Sequence, residues 1–329
     1  MNTEVNKKQS GLLKEEAWGL VVNGPWQPPV IDDLTKIPTG DMPGDQVKID
    51  DGHIVKAQAI YSELLSETIE LINKNPNHKV VISVHGGSGV GKSEIGALLA
   101  YYFNDSGVGS YVLSGDNYPR RIPHFNDAER LRIFRAAAID GLLNKKLYND
   151  QVKVVLEQLI IGDHEADPNF TEQYPWLETY QRTGRQGLAN YLGSNDEVDF
   201  TKINHILGAF KKGNETIMLK RMGRALKDLW YEEVDFSEVN VLIIEWTHGN
   251  NPNLLGVDLP ILLNSTPEET LNHRRLRNRD GGLDSPFTAM VLSIEQEKLH
   301  RQAQSAKMIV SKNSEILSYE TYEKRMDIK

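Results

Sequence analysis

Short apolar runs and longer stretches of helical spacing alternate along much of this chain of 329 residues. Runs in which nearly every residue is apolar are typical of strands that a parallel sheet buries on both faces. They occur at 79–85, 109–113, 239–244, 259–263 and 308–310. Apolar residues three and four positions apart predict helices at 54–74, 93–103, 127–147, 216–231, 267–279 and 287–306. This alternation predicts an α/β fold with a doubly wound parallel sheet.

Two parts of the chain depart from this alternation. Residues 1–50 are irregular and rich in proline, but they carry apolar side chains such as Trp18, Val22 and Trp26. We therefore expect an N-terminal extension that wraps onto the core. Between 118 and 215, polar turns separate helix-like pieces at 151–160, 186–192 and 201–211, which predicts a mostly helical insertion.

The sequence Gly-Gly-Ser-Gly-Val-Gly-Lys-Ser at 86–93 is a complete G-x-x-x-x-G-K-[ST] phosphate-binding loop. It lies between a predicted strand and a predicted helix, which is the context in which such a loop works. Its backbone N–H groups can point at phosphate oxygens, and the dipole of the following helix adds to the attraction. We predict ATP and Mg²⁺ as cofactors, with the nucleotide held by Gly86, Gly87, Ser88, Gly89, Val90, Gly91, Lys92 and Ser93.

Other strand ends carry side chains suited to the same chemistry, because ligands bind outside the carboxyl ends of the strands in open α/β sheets. Lys92 would place its charge on the β- and γ-phosphates, and Ser93 its hydroxyl on Mg²⁺. Asp116 follows the second strand and is the predicted general base toward an acceptor hydroxyl. Glu245 ends the third strand and is predicted to face the metal. A backbone-capping turn at Asp116 and an ordinary strand-end acid at Glu245 are the alternative interpretations.

Basic and polar side chains near these strand ends are candidates for binding the acceptor and the transferred phosphoryl group. The planar guanidinium group of arginine pairs well with phosphate oxygens. A dense cationic run consists of Arg274, Arg275, Arg277 and Arg279, and we predict that Arg275 and Arg279 are its catalytic lid residues. The predicted substrate-binding residues are Asn117, Arg120, Arg121 and His248. The alternatives are a solvated helix face for the run and a turn role for Asn117 and His248.

The composition narrows the choice of partners. A formal net charge of −9 argues against nucleic acid or an anionic membrane, which usually require an excess of lysine and arginine. The chain has no cysteine, which excludes disulfides and thiolate metal sites. Its polar first ten residues do not resemble a signal peptide, and no apolar run approaches the ~18 residues that span a bilayer. We expect a cytoplasmic protein without membrane or nucleic-acid partners, and an oligomer is compatible with the sequence.

With these residues in hand, the chain resembles the phosphoribulokinase/uridine kinase family of P-loop kinases. The resemblance rests on the loop at 86–93, the Asp116 and Glu245 strand ends, and the segment 265–280 with its arginines. It covers roughly 79–120 and 216–312, and it implies a P-loop kinase fold. It also implies the roles given above for Lys92, Ser93, Asp116, Glu245 and an arginine of 274–279. In the family a glycine follows the strand-end glutamate, whereas this chain has Trp246 there.

A second, narrower resemblance concerns residues 111–120. Their sequence Tyr-Val-Leu-Ser-Gly-Asp-Asn-Tyr-Pro-Arg is similar to the Leu-Asp-Gly-Asp-Asn-x-Arg segment of adenylylsulfate kinases. Residues 125–130 loosely resemble the next segment of those enzymes, but residues 1–78 and 150–215 have no counterpart there.

The leading interpretation is an ATP-dependent phosphotransferase that moves the γ-phosphoryl group of MgATP to a hydroxyl of a small metabolite, neutral or anionic. An adenylylsulfate kinase-like activity and a nucleotide-switched P-loop ATPase or regulator are the alternatives. We divide the chain into an N-terminal extension with a helix that packs on the core (1–78) and a P-loop kinase domain (79–329). The helical insertion then spans about 118–215.

Overall fold

A computed structural model describes residues 25–223, 225, 227–266, 268–271 and 285–326. Its strands are β1 (Val80–Gly86), β2 (Ser110–Ser114), β3 (Thr216–Met222), β4 (Leu229–Asp235), β5 (Val241–Glu245), β6 (Leu259–Leu263), β7 (Met308–Val310) and β8 (Ile316–Leu317). Six of them form a central sheet in the order β2-β5-β1-β6-β7-β8. The first five strands of this order pair in parallel, and the edge strand β8 is antiparallel to β7.

Helices connect these strands and cover the sheet. They are α1 (Asp51–Lys74), α2 (Lys92–Asp105), α3 (Pro123–Asn144), α4 (Asp150–Ile161), α5 (Trp176–Tyr191), α6 (Phe200–Lys211), α7 (Pro286–Ala303) and α8 (Tyr319–Met326). Within the described ranges, no helix combines the length and the apolar character needed to cross a membrane. The helix predicted over 267–279 lies largely outside the described residues.

Both faces of the central sheet are buried, as the apolar runs predict. Val80 and Ile82 of β1 point to one face and pack with residues of α1 and α2. Val81 and Leu242 point to the opposite face and pack with α6, while Leu262 packs there with α7 and α8. The predicted doubly wound α/β fold is thereby confirmed.

Helices α3, α4 and α5 form a separate apolar core together with part of α7, which confirms the predicted helical insertion. The approach of α3 to α5 is close, because a Cβ atom on Gly184 would lie 2.5 Å from a ring carbon of Phe134. Helix α5 begins at Trp176, ten residues before the helical piece predicted at 186–192. The core of α3, α4, α5 and α7 lies beside the sheet and forms one wall of a cavity at the phosphate loop.

The described part of the N-terminal extension, residues 25–50, lies against α1 and α2. The ring of Trp26 packs on Tyr61 and Tyr102, with centroid distances of 4.6 and 5.1 Å. Ile37 is buried in the same apolar cluster. Asp50 then caps α1 by accepting a 2.9 Å hydrogen bond from the backbone N–H of His53. The division of the chain into domains at residue 78 stays a prediction.

The helix predicted over 216–231 is wrong, because this segment forms most of the antiparallel ribbon β3–β4. Ile217 and Leu219 are spaced by two and point into the core, so the same apolar residues satisfy a strand pattern. The helical interpretation requires Leu229 and Trp230 to be buried, whereas both are about half exposed in β4. The antiparallel pairing of β3 with β4 decided between the two periods, which short apolar runs often leave ambiguous.

Candidate active site

The phosphate loop occupies the turn between β1, which ends at Gly86, and α2, which begins at Lys92. Gly91 precedes the helix with a φ of 93°, a left-handed conformation that favours glycine. Gly86 approaches β6 so closely that a Cβ atom would lie 2.5 Å from the carbonyl oxygen of Leu263. Both glycines are therefore required by the backbone path, and the loop has the strand–turn–helix form that cradles phosphate groups.

Lys92 and Ser93 are the first residues of α2, and their side chains point to different parts of the site. The Nζ atom of Lys92 donates a 2.9 Å hydrogen bond to the carbonyl oxygen of Gly87 and so lies over the loop. Ser93 Oγ donates a 3.1 Å hydrogen bond to Oε2 of Glu245 at the end of β5. The structure thus brings the predicted phosphate-binding lysine and the two predicted metal-binding side chains to one edge of the sheet.

Glu245 is buried, and its second oxygen accepts a hydrogen bond from the Ser114 hydroxyl at the end of β2. Burial raises the pKa of Glu245, and the negative charge of Asp116 acts in the same direction. A hydroxyl and a carboxylate are hard oxygen ligands, which suit Mg²⁺. In the described part of the chain, no group of three or more acidic or histidine side chains is arranged for a metal. A magnesium ion here would complete its coordination with phosphate oxygens and water.

Asp116 and Asn117 lie in a 3₁₀ turn, Gly115–Asn117, directly after β2. Asp116 is exposed at the carboxyl end of the sheet, on the strand next to Glu245. The side chain of Asn117 is fully buried and its amide is bound by the protein, with the backbone N–H of Met222 donating to Oδ1 at 2.8 Å. Because Asn117 supports the turn from inside, we do not include it among the residues that contact an acceptor.

Asp41 was not among the sequence-based candidates, although it lies beside this turn. Its Oδ1 accepts hydrogen bonds from the backbone N–H of Ser114 at 2.8 Å and from Nδ2 of Asn117 at 2.9 Å. Its Oδ2 accepts from Arg221 at 2.7 Å and from the Tyr111 hydroxyl at 3.1 Å. Burial raises the pKa of Asp41 to about 6, against the opposing charge of Arg221. No motif marks Asp41, because it precedes the phosphate loop by a whole helix.

The ring of His248 lies in the loop after β5 and packs edge-to-face on Trp246, at a centroid distance of 5.1 Å. Burial lowers its pKa to about 4, despite the opposing effect of Glu197, so the ring is neutral at pH 7. A Cβ atom on Gly193 would lie 3.0 Å from the His248 ring. His248 therefore packs between these groups, and it is absent from the wall of the cavity at the phosphate loop.

Arg120 and Arg121 line an open groove on the outer side of α3, together with Arg132 and Tyr191. The guanidinium of Arg121 lies 3.1 Å from Glu129 and donates a 3.0 Å hydrogen bond to the Tyr191 hydroxyl. Arg120 donates to the carbonyl oxygen of Asn195. Both predicted substrate-binding arginines are thus held by protein groups, and neither contributes to the cavity beside the phosphate loop.

That cavity has a volume of about 410 Å³ and opens between the phosphate loop, α3 and α7. Ser88 of the loop and Thr247, after β5, form its inner wall. Apart from the basic Arg130, the rest of the lining is acidic, hydroxyl-bearing or apolar, and comprises Asp127, Ala128, Leu131, Asp163, Ser285, Phe287, Thr288, Val291, Leu292 and Glu295. Its size is that of a small-molecule site. None of the lining residues was a candidate in the sequence except Ser88.

Among the described residues that line this cavity, Arg130 is the cation, and acidic groups surround it. Its Nε donates a 2.7 Å hydrogen bond to Glu197, and its guanidinium lies 3.8 Å from Glu295 and 3.9 Å from Asp127. These ion pairs connect α3 with α7 and with the segment before α6. Among the described lining residues, Asp127, Asp163 and Glu295 outnumber Arg130, so this part of the wall offers little attraction for an anionic acceptor.

The predicted lid arginines, Arg275 and Arg279, lie outside the described residues, as do Arg274 and Arg277. The described ends that flank this segment are Leu271 and Ser285. Ser285 lies in the cavity wall, and its Oγ accepts a 3.1 Å hydrogen bond from the Thr288 N–H at the start of α7. The arginine predictions stay predictions.

Comparisons with known proteins give one match by sequence and several by structure. No protein-family model matches the chain. The chain is 38% identical over 242 residues to the bifunctional alpha-galactosidase/sucrose kinase AgaSK of Mediterraneibacter gnavus. The match covers 74% of this chain and 21% of that protein, so the chain spans about a fifth of the length of this relative.

Among solved structures, a putative fructose transport system kinase from Silicibacter sp. TM1040 aligns with 17% identity and a TM-score of 0.42, over 77% of this chain and 94% of that one. D-glycerate 3-kinase from Cryptococcus neoformans var. grubii aligns with 13% identity and a TM-score of 0.44, over 80% of this chain and 98% of that one. At these TM-scores neither structure bears on the activity of this chain.

Proposed function

We propose that this protein is an ATP-dependent kinase that transfers the γ-phosphoryl group of MgATP to a hydroxyl of an uncharged carbohydrate. The observation that carries the proposal is the cavity of about 410 Å³ that has Ser88 of the phosphate loop in its wall. A substrate in this cavity would lie next to the phosphates that the loop binds, which is the proximity that phosphoryl transfer requires.

The side chains at the sheet edge would divide the chemistry among them. Lys92 binds the β- and γ-phosphates, and Ser93 with Glu245 would hold a magnesium ion, which would supply positive charge against the phosphates. Asp116 accepts the proton of the acceptor hydroxyl while the oxygen of that hydroxyl forms the new bond to the γ-phosphorus. The bond from that phosphorus to the β-phosphate oxygen breaks, and ADP leaves with the electron pair. An arginine of 274–279 would stabilise the charge on the phosphoryl group in transit.

The choice of a carbohydrate rests on the cavity wall and on the sequence relative. Carboxylates such as Asp127 and Glu295 accept hydrogen bonds from sugar hydroxyls, and the ring of Phe287 offers an apolar face. The name of the sequence relative contains two activities, an alpha-galactosidase and a sucrose kinase. A phosphate loop serves phosphoryl transfer, whereas glycoside hydrolysis uses a pair of carboxyl groups. We therefore connect this chain with the sucrose kinase half of that name.

The alternative functions make different demands on the cavity. Adenylylsulfate and ribulose 5-phosphate are anions, and the acidic lining around Arg130 disfavours them. A nucleotide-switched ATPase needs no acceptor at all. Uridine is neutral, so the charge of the cavity does not disfavour it, and it is tested as an acceptor in parallel with the sugars.

The test supplies the purified chain with γ-labelled ATP and Mg²⁺ and offers sucrose, other neutral mono- and disaccharides, uridine, ribulose 5-phosphate, glycerate and adenylylsulfate in separate reactions. We expect label on a neutral sugar and none in the Lys92→Met variant, which keeps the fold but lacks the phosphate-binding charge. Transfer only to an anionic acceptor, or ATP consumption that no acceptor increases, would contradict the proposal.

A further inference from the structure

Asp41 binds both ends of the turn that carries Asp116. One carboxylate oxygen accepts the Ser114 backbone N–H, which precedes the turn, at 2.8 Å. The same oxygen accepts the side-chain amide of Asn117, which ends the turn, at 2.9 Å. The position of the Asp116 backbone is thus tied on either side to one carboxylate of the N-terminal extension.

The second oxygen of Asp41 connects this turn to the β3–β4 ribbon. It accepts a 2.7 Å hydrogen bond from Arg221 of β3, whose guanidinium also donates to Glu232 of β4 at 3.0 Å. Tyr111 donates to the same oxygen of Asp41 at 3.1 Å. The carboxylate therefore has four donors from β2, the turn after it and β3.

The surroundings of the Asp41 hydrogen bonds indicate a role other than attaching the N-terminal extension. Only 7% of the Asp41 side chain is exposed, and burying a carboxylate is costly unless donors surround it. The extension already has an apolar anchor in Trp26 and Ile37, so its attachment does not require the charge. The segment also passes close to Glu245, because a Cβ atom added at Gly40 would lie 3.5 Å from Oε1 of that carboxylate.

We propose that Asp41 is a positioning residue of the phosphoryl-transfer site, which it serves by holding the Ser114–Asn117 turn so that Asp116 faces the acceptor. The proposal rests on the proposed function and adds the N-terminal extension to the active site. Asp41 itself does not touch the substrate. Its loss changes the placement of Asp116 and leaves the phosphate loop intact, so it lowers kcat and leaves KM for ATP nearly unchanged.

The kinetic test compares Asp41→Ala and Asp41→Asn with Asp32→Asn. Asp32 lies in the same extension and is exposed, with only a 3.4 Å contact to Lys36. Because misplacement by about 1 Å costs on the order of 10²-fold, we expect a loss of that size in kcat for Asp41→Ala. Asp41→Asn keeps a neutral acceptor oxygen for the Ser114 N–H and should lose less. Asp32→Asn should match the wild type, and all assays run well below the melting temperature of each variant.

Hydrogen–deuterium exchange on the full chain gives a readout that does not depend on catalysis. In Asp41→Ala we expect faster exchange at 114–118 and unchanged protection in the phosphate loop and β1. A wild type without acceptor-dependent turnover would overturn the proposed function, while the exchange pattern would still decide whether Asp41 holds the turn. Wild-type kcat in Asp41→Ala would overturn the positioning role, and so would unchanged exchange at 114–118. Uniform loss of protection with a raised KM for ATP would overturn it too, in favour of a purely structural role.

Discussion

Gly115, directly after β2, packs closely against the indole of Trp246, directly after β5. A Cβ atom on Gly115 would be 1.9 Å from Cγ of that indole, a distance at which two atoms cannot coexist. Trp246 is only 3% exposed. The large side chain after Glu245 is accommodated because its neighbour at the next strand end has none.

Gly115→Ala should therefore destabilise the fold and disturb the turn that carries Asp116. Overpacking of a buried site costs about 1–3 kcal/mol, and we expect the free energy of unfolding to fall by that amount. Gly208→Ala in α6 is the matched control, since a Cβ atom there meets nothing within 4 Å. In a helix that change should stabilise by up to about 1 kcal/mol. Urea unfolding of both variants checks the difference, and equal stabilities would refute the steric argument.

Glu245→Gln should weaken the binding of magnesium. The amide keeps the shape and hydrogen-bonding capacity of the side chain near Ser93 and Ser114, but it lacks the negative charge that a divalent cation needs. We expect the magnesium concentration for half-maximal activity to rise about 10- to 100-fold. Titration of activity with Mg²⁺ at saturating ATP measures this. A variant with the wild-type magnesium requirement would remove Glu245 from the metal site.

Asp116→Asn should lower kcat about 10²- to 10⁴-fold, because general-base catalysis contributes roughly that much and an amide cannot accept the proton. The side chain is exposed, so the fold and the binding of ATP should be unaffected. Steady-state kinetics and nucleotide binding by calorimetry separate the two effects. Asp140→Asn, at an exposed position of α3, controls for the loss of one charge. Full activity in Asp116→Asn would exclude it as the base.

Asp127→Asn should raise KM for the acceptor about 10-fold and leave KM for ATP unchanged, because Asp127 lines the cavity next to the phosphate loop. Glu129, two residues further along α3, faces the arginine groove instead. Glu129→Gln should therefore leave both constants near their wild-type values. If Glu129→Gln raises the acceptor KM and Asp127→Asn does not, the acceptor binds in the groove of Arg120 and Arg121.

The contribution of His85 to the stability of the fold should fall as the pH drops below about 6.5, the usual pKa of histidine. His85 is fully buried at the end of β1, and neither ring nitrogen has a hydrogen-bond partner among the described residues. Burial, followed by the charge of Lys92, lowers its pKa to about 3. Between the pKa of the unfolded chain, about 6.5, and that of the folded chain, about 3, His85 binds a proton only in the unfolded chain. Lowering the pH through this range therefore favours unfolding.

Urea unfolding at pH 7 and pH 5 checks this effect. The wild type should lose on the order of 2 kcal/mol more than His85→Leu between the two pH values. His205 is exposed, and His205→Leu should keep the wild-type pH dependence. Parallel pH profiles of wild type and His85→Leu would show that His85 is protonated in the fold.

The pattern of apolar residues determined the parallel sheet almost completely. Its strands at 259–263 and 308–310 lie where the sequence places them, and β1, β2 and β5 differ by one or two residues at their ends. The ribbon β3–β4 was missed because its apolar spacing is compatible with a helix, and only the pairing of β3 with β4 distinguishes the two.

The phosphate loop and the acids that end β2 and β5 could be read from the sequence, because eight consecutive residues and two strand ends contain the whole signal. The contacts of Asp41 with Arg221, of Arg130 with Glu295, and of Gly115 with Trp246 join segments far apart in the chain. No local period or motif encodes such pairs. The tertiary structure alone decided which side chains share the cavity and which carboxylate holds the Asp116 turn, since both depend on how the extension and the helical insertion pack against the sheet.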